Sequence, residues 1–179
     1  MAEPLPTFRY YPDAVADGTL VASDAVCSAC GRARSWIATS RLYSAAVPDD
    51  ARFCPWCIAD GSAVSRFGGT FNELALGATS EADAEVEQRT PNFATWQDWE
   101  WPVHCHDGMA YLGQPRAGEL RRHADAFDPL RTELRELPWA REGNAAEEFI
   151  DTLDPEAGAV AYLSRCLHCG AHRAIWDQD

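Results

Sequence analysis

A chain of 179 residues with 46% apolar and 24% charged side chains carries enough apolar mass for a folded core, which excludes a disordered polypeptide. Its formal net charge of −13 repels nucleic-acid backbones and anionic membranes. It has no run of about 18 apolar residues to span a bilayer, and its opening Met-Ala-Glu-Pro-Leu-Pro has no leader segment, so a cytoplasmic protein with reduced thiols is expected.

The charge is unevenly spread. Residues 1–57 hold six acids and five Arg, whereas residues 58–179 hold twenty-two acids and ten Arg. All fifteen bases are Arg, which reflects compositional bias rather than function. The acidic part suits a basic protein partner, or simply solubility, and disfavours nucleic acid.

In chain order, residues 1–12 read as an extended strand whose aromatics, Phe8, Tyr10 and Tyr11, pack on the adjoining lobe, with Pro12 ending it. A turn is expected over 13–18. Leu20-Val21 then leads to Cys27-Ser-Ala-Cys30-Gly31, and twenty-three residues later comes Cys54-Pro-Trp-Cys57. Two Cys-x-x-Cys hooks at this separation predict a tetrahedral zinc site made by Cys27, Cys30, Cys54 and Cys57. Gly31 gives the first hook the backbone freedom its turn needs. Between the hooks, Trp36–Tyr43 is rich in strand formers and predicts a short β-hairpin. The stretch from Ile58 to Phe67 opens a short helix. Hook, hairpin, then a hook at a helix start is the order of a treble-clef zinc finger.

Gly68-Gly69 and Gly77 bracket a flexible connection. Ser80–Arg89 predicts an acidic helix, with Ser80 and Asp83 as a capping-box variant and Pro91 beyond its end. Trp96, Trp99 and Trp101 come next. No basic residue interleaves with them, so a core role is expected over stacking on bases. After His104-Cys105-His106-Asp107 comes a strand over Ala110–Gly113. Helical periodicity over Glu119–Arg135 is broken near Asp128-Pro129, and Ala145–Leu153 is a short acidic helix. The chain closes on a strand over Ala159–Arg165, a third hook, Cys166-Leu-His-Cys169-Gly170, and a strand over Ala174–Trp176. Strand, hook, strand is half of a zinc ribbon.

The third hook needs partners, and Cys105 is the cysteine that remains. Cys105, Cys166 and Cys169 ask for a fourth ligand, and His104, His106, His168 and His172 all stand close in sequence. The residues leave that choice open. A zinc with an open position would permit a hydrolase using His104, His106 and Asp107 as acid–base groups. Three thiolates quench the metal's Lewis acidity, however, and no metalloprotease, deaminase, nucleophile-elbow or phosphate-loop motif is present. The expected function is therefore binding, with structural zinc.

A resemblance adds to this reading. Phe8-Arg-Tyr-x-Pro-Asp13, Cys27-Ser-Ala-Cys-Gly, Cys54-Pro-Trp-Cys-Ile-Ala-Asp-Gly, Arg89-Thr-Pro91, Trp96-Gln97, Trp101, His104-Cys105, Asp107 and Tyr162-Leu-x-Arg-Cys-Leu-His-Cys-Gly170 resemble the bacterial CbrC family. The likeness runs through nearly the whole chain. It implies one CbrC-like domain over 1–179 and a setting connected with colicin tolerance, without implying a reaction. It also places a histidine at His104, which makes that residue the implied fourth ligand, with His106 and His172 as rivals. In the family pattern a further cysteine stands where this chain has Met109, and a thioether is a poor zinc ligand. The expected architecture is α+β, with a treble-clef-like zinc lobe over 1–70 and a zinc-ribbon-like lobe with short helices over 90–179.

Overall fold

The first hook sits between two three-residue strands, β1 (Leu20–Ala22) and β2 (Trp36–Ala38), which pair antiparallel with Leu20 opposite Ala38. The structure is a computed structural model that describes residues 3–178. The fold is mixed α+β, with short helices and mainly antiparallel strand pairs. It divides into two units, one made of 1–94 and 99–110, the other of 95–98 and 111–179. Among the described residues no helix is long and apolar enough to cross a membrane.

In the first unit the hairpin expected over Trp36–Tyr43 does not form. Trp36–Ala38 turns back onto β1, a Val26–Ala33 bridge closes the hook between them, and residues 39–53 stay irregular except for single bridges. The partner for these strand formers lies before the hook, so the hook itself is the hairpin's turn. The aromatic segment also differs from expectation. Phe8, Tyr10 and Tyr11 are buried, but the chain there makes turns instead of a strand.

Helix α1 (Pro55–Ala59) begins directly after Cys54, with Pro55 preset for the first helical position. Gly61, in the left-handed region at φ 76°, separates it from α2 (Ser62–Phe67). Phe53 meets Phe67 and Phe71 edge-on at 5.8 and 5.9 Å, the aromatic centre beneath the second hook. After β3 (Glu73–Leu74) comes the acidic α3 (Ser80–Arg89), whose cap is Thr79 instead of Ser80: the Thr79 hydroxyl accepts the Ala82 N–H at 3.3 Å. β4 (Glu100–Trp101) runs parallel to β3. Trp101 is fully buried and donates its indole N–H to the Met109 carbonyl at 2.7 Å, whereas Trp96 is exposed, so the tryptophans do not act as one block. The last hairpin of the unit joins β5 (Val103–His104) to the start of β6 (Asp107–Gly113).

In the second unit, residues 111–113 end β6, and α4 (Ala117–Leu120), α5 (Ala124–Glu136) and α6 (Ala145–Asp151) precede β7 (Ala159–Cys166) and β8 (His172–Gln178). These two strands pair antiparallel from Ala159–Gln178 to Arg165–His172. Leu120, Leu130, Leu134 and Ile150 of the helices bury against Ala161, Leu163 and Ala174 of the strands. Pro129 lies inside α5 and does not break it, contrary to the expectation from sequence. It forfeits one backbone bond, and the face of Ala126, Leu130 and Leu134, repeating every four residues, outweighs that loss. Glu147 is ringed by Arg121 and Arg135 at 3.3 and 3.2 Å, so part of this unit's acidity is answered on its own surface.

Candidate metal centre

Two of the hooks have the same local structure. The Cys27 N–H donates to the Arg32 carbonyl at 3.0 Å and the Gly31 N–H to the Cys27 carbonyl at 2.8 Å. In the third hook the Cys166 N–H donates to Ala171 at 2.8 Å and the Gly170 N–H to Cys166 at 3.1 Å. Gly31 and Gly170 sit at φ 69° and 76°, where a Cβ would cost about 1–2 kcal/mol. The middle hook is helical instead: the Cys57 and Ile58 N–H groups close onto the Cys54 carbonyl at 3.0 and 3.3 Å.

Two groups of four residues are positioned to hold metal ions. In the first, Cys27, Cys30, Cys54 and Cys57 bring their sulfurs within 4.8 Å of one another, three buried and Cys30 half-buried. None is in a disulfide. The thiols interact as closely as their packing suggests. A hydrogen bond from Cys54 holds Cys27 down at about 4, aided against burial by backbone N–H groups, Cys54's own at 3.3 Å among them. Cys54 is driven well up by the same bond, and burial pushes Cys57 up to about 11. Four sulfurs set this close, three of them buried, form a donor set that a soft cation completes, because the cation replaces the thiol protons.

Arg34 supports this group. Its guanidinium lies 4.2 Å over the Trp56 ring and pairs with Glu3. Burial works against its charge, yet Glu3 and then Cys54 outweigh that and hold it above its usual range. No hook spacing signals this residue. As a cation beside a thiolate set it acts from outside the ligand shell, where such partners change metal affinity by about 10–100-fold. Arg34→Ala is expected to keep the metal and release it to a competing chelator about tenfold faster; an unchanged release rate would remove Arg34 from the site.

The second group is His104, Cys105, Cys166 and Cys169, whose ligand atoms lie within the same 4.8 Å limit. Only Cys166 is buried. The β5–β6 turn is the residue pair Cys105-His106, both left-handed at φ 53° and 62°, the two-residue turn usually built from Asn and Gly. Each costs about 1–2 kcal/mol of strain in a side-chain-bearing residue. In return, neighbours in sequence approach one another: His104 Nδ1 lies 3.2 Å from Cys105 Sγ. Of the other histidines, His106 Nδ1 faces the Gly77 carbonyl at 3.2 Å, and His172 meets Asp125 through its N–H at 2.7 Å and its ring at 3.1 Å. His168 contributes its backbone N–H to Cys166 Sγ at 3.4 Å. Met109 is buried in the core and is not among the four.

Asp107, considered as an acid–base group from sequence, has a structural task. Its Oδ1 accepts the Tyr10 hydroxyl at 2.5 Å and the Gly108 N–H at 2.9 Å, and its Oδ2 accepts Arg9 at 2.6 Å. Burial first, and then Asp107, push the Tyr10 hydroxyl well above its ordinary pKa. Gly108 is needed because a Cβ there would stand 3.0 Å from both Tyr10 and Val86. Asp107→Ala is expected to destabilise the unit by roughly 2–3 kcal/mol, most of it from leaving the buried Tyr10 donor unpaired, since Arg9 is half-exposed. Chemical denaturation measures it, and a loss below about 0.5 kcal/mol would contradict this role.

A model of the uncharacterised protein family UPF0167 matches residues 5–178. The chain belongs to this family. It is 42% identical over 177 residues to a UPF0167 protein of Mycobacterium bovis, covering 97% of this chain and 93% of the relative, and a Mycobacterium tuberculosis member gives the same figures. A UPF0167 protein of Pseudomonas aeruginosa is 33% identical over 183 residues, covering 100% of this chain and 99% of its own. No solved structure matches the chain. The family match extends over every cysteine of both groups.

Proposed function

We propose that this UPF0167 member is a CbrC-type cytoplasmic zinc protein in which the metal is structural and the work is protein binding. The observation that carries the reading is the close-set group of Cys27, Cys30, Cys54 and Cys57, three of them buried. Four soft sulfurs suit tetrahedral zinc and close its coordination, leaving no position for a water or a substrate. A hook in a hairpin turn followed by a hook at the start of α1 fits a treble-clef finger, and the β7–β8 hook fits half a zinc ribbon. His104 then completes a second zinc with Cys105, Cys166 and Cys169.

The partner is a basic protein. Helix α3 presents Glu81, Asp83, Glu85 and Glu87, and none of them forms an ion pair among the described residues. The CbrC resemblance places such a partner in the context of toxin tolerance, where a basic nuclease toxin would meet the charge requirement.

Metal analysis of protein purified under reducing conditions is expected to give two zinc ions per chain, and one would show that the His104 group stays empty. A partner captured with zinc retained should bind more weakly at high salt and after Glu81→Gln, Asp83→Asn and Glu85→Gln together. Binding that ignores both salt and neutralisation would remove the acidic helix from recognition. Tight, salt-independent binding of duplex DNA would overturn the class.

A further inference from the structure

The irregular stretch between the two hooks of the first unit lines a cleft of about 410 Å³. Arg41, Tyr43 and Arg52 stand on its wall with Asp49, and all three are exposed. Their backbones are each fixed twice. The Arg41 N–H donates to Asn92 Oδ1 at 2.9 Å, and its carbonyl accepts Asn92 Nδ2 at 2.7 Å. Tyr43 exchanges both backbone bonds with Thr70, at 2.9 and 3.3 Å. The Arg52 carbonyl accepts the Ser28 N–H at 2.7 Å, and its N–H donates to the Ser28 hydroxyl at 3.1 Å.

The side chains are left over. Among the described residues neither guanidinium meets a carboxylate, and the Tyr43 hydroxyl has no hydrogen-bond partner. Fixed backbones set where these polar tips can reach around the cleft, so a ligand has only the side chains left to order. Two Arg against one Asp also make this wall locally positive in a chain of net charge −13.

Two guanidinium forks match the oxygens of a doubly charged phosphate, each able to bind it through paired N–H donors. The exposed Tyr43 ring adds a flat face for a planar group. The cleft's volume falls in the range of small-molecule sites. A long polyanion is a poor fit, since the acidic remainder of the surface would repel its neighbouring phosphates. We propose that this cleft binds a small phosphate monoester bearing a planar ring, of the nucleoside monophosphate class, with Arg41 and Arg52 on the phosphate and Tyr43 against the ring.

The test is calorimetric titration of the metal-loaded full chain with AMP and, separately, with inorganic phosphate. AMP is expected to bind at submillimolar concentration and at least about fivefold more tightly than phosphate, the ring contact making the difference. Arg41→Gln and Arg52→Gln should each weaken both probes about tenfold. Tyr43→Ala should weaken AMP alone, and Arg173→Gln, on β8, should change nothing. Metal content and circular dichroism verify folding, and Arg41→Lys and Arg52→Lys replace any Gln variant that fails to fold, with an expected loss about as large because Lys cannot bind bidentately. No AMP binding at millimolar concentration, AMP binding no tighter than phosphate, or binding indifferent to both arginines would each overturn the proposal.

Discussion

Cys54→Ser is expected to unfold the region from β1 through α2 and to remove one metal ion per chain. Cys54 is the pivot of the buried group: its sulfur is one of the four donors, its N–H meets Cys27 Sγ at 3.3 Å, and its carbonyl starts α1. A serine hydroxyl keeps the backbone bonds but is a hard, protonated donor at neutral pH, poorly matched to a soft four-sulfur site. Structural zinc supplies apparent folding free energy of about 10–16 kcal/mol in small units, against a whole-domain stability of about 5–15 kcal/mol. The remaining thiols of Cys27, Cys30 and Cys57 would also be left close together without a cation, two of them buried. Mass spectrometry of the intact protein and thermal melts check the outcome. Helices α4 to α6 belong to the other unit and should keep their circular dichroism, which separates loss of the site from general misfolding. Normal stability with full metal content would show that the four cysteines are ordinary core residues.

The second large effect is expected at Gly69, three residues before Asn72 on the far side of the loop that carries Tyr43. A Cβ at Gly69 would stand 2.0 Å from the Tyr43 carbonyl oxygen and 2.7 Å from Ser44 Cβ, at a left-handed φ of +79°. The obstacle is backbone, so no rotamer change relieves it. Gly69→Ala must part the Tyr43–Thr70 bridge, losing two hydrogen bonds in addition to the left-handed strain, a destabilisation of about 3–5 kcal/mol. Gly68 is the internal comparison. It too has a positive φ, +68° with ψ −172°, an extended conformation adopted almost only by glycine, but nothing lies within 4 Å of its Cβ position, so Gly68→Ala should cost only the backbone strain, about 1–3 kcal/mol. Equal losses for the two variants in denaturant titrations would show that backbone strain, and not the close approach, governs the site.

Whatever depends on neighbours along the chain was legible in the amino-acid sequence. Cys-x-x-Cys-Gly at Cys27 and at Cys166 folds into the same hydrogen-bonded turn because cysteine, spacing and a left-handed glycine are all local. The acidic helix Ser80–Arg89 and the strands on either side of the last hook were equally legible, since periodicity acts within a few residues, although the cap is Thr79 and not Ser80. Tertiary structure decided what depends on distance. Trp36–Ala38 has strand propensity in either pairing, and its match with Leu20–Ala22 was settled by which partner the first hook brings back alongside it. Pro129 is a helix breaker by local rule, yet a buried leucine face holds α5 together around it. His104, His106 and His172 are alike in sequence. What separates them is the Gly77 carbonyl facing His106, the Asp125 carboxylate at His172, and a strained turn that sets His104 beside Cys105. Asp107 looked free to move protons by residue type alone, but Arg9, Tyr10 and Gly108 occupy its oxygens. Donor chemistry is written in residue types, but which donors are free to meet depends on what else the fold has placed against them.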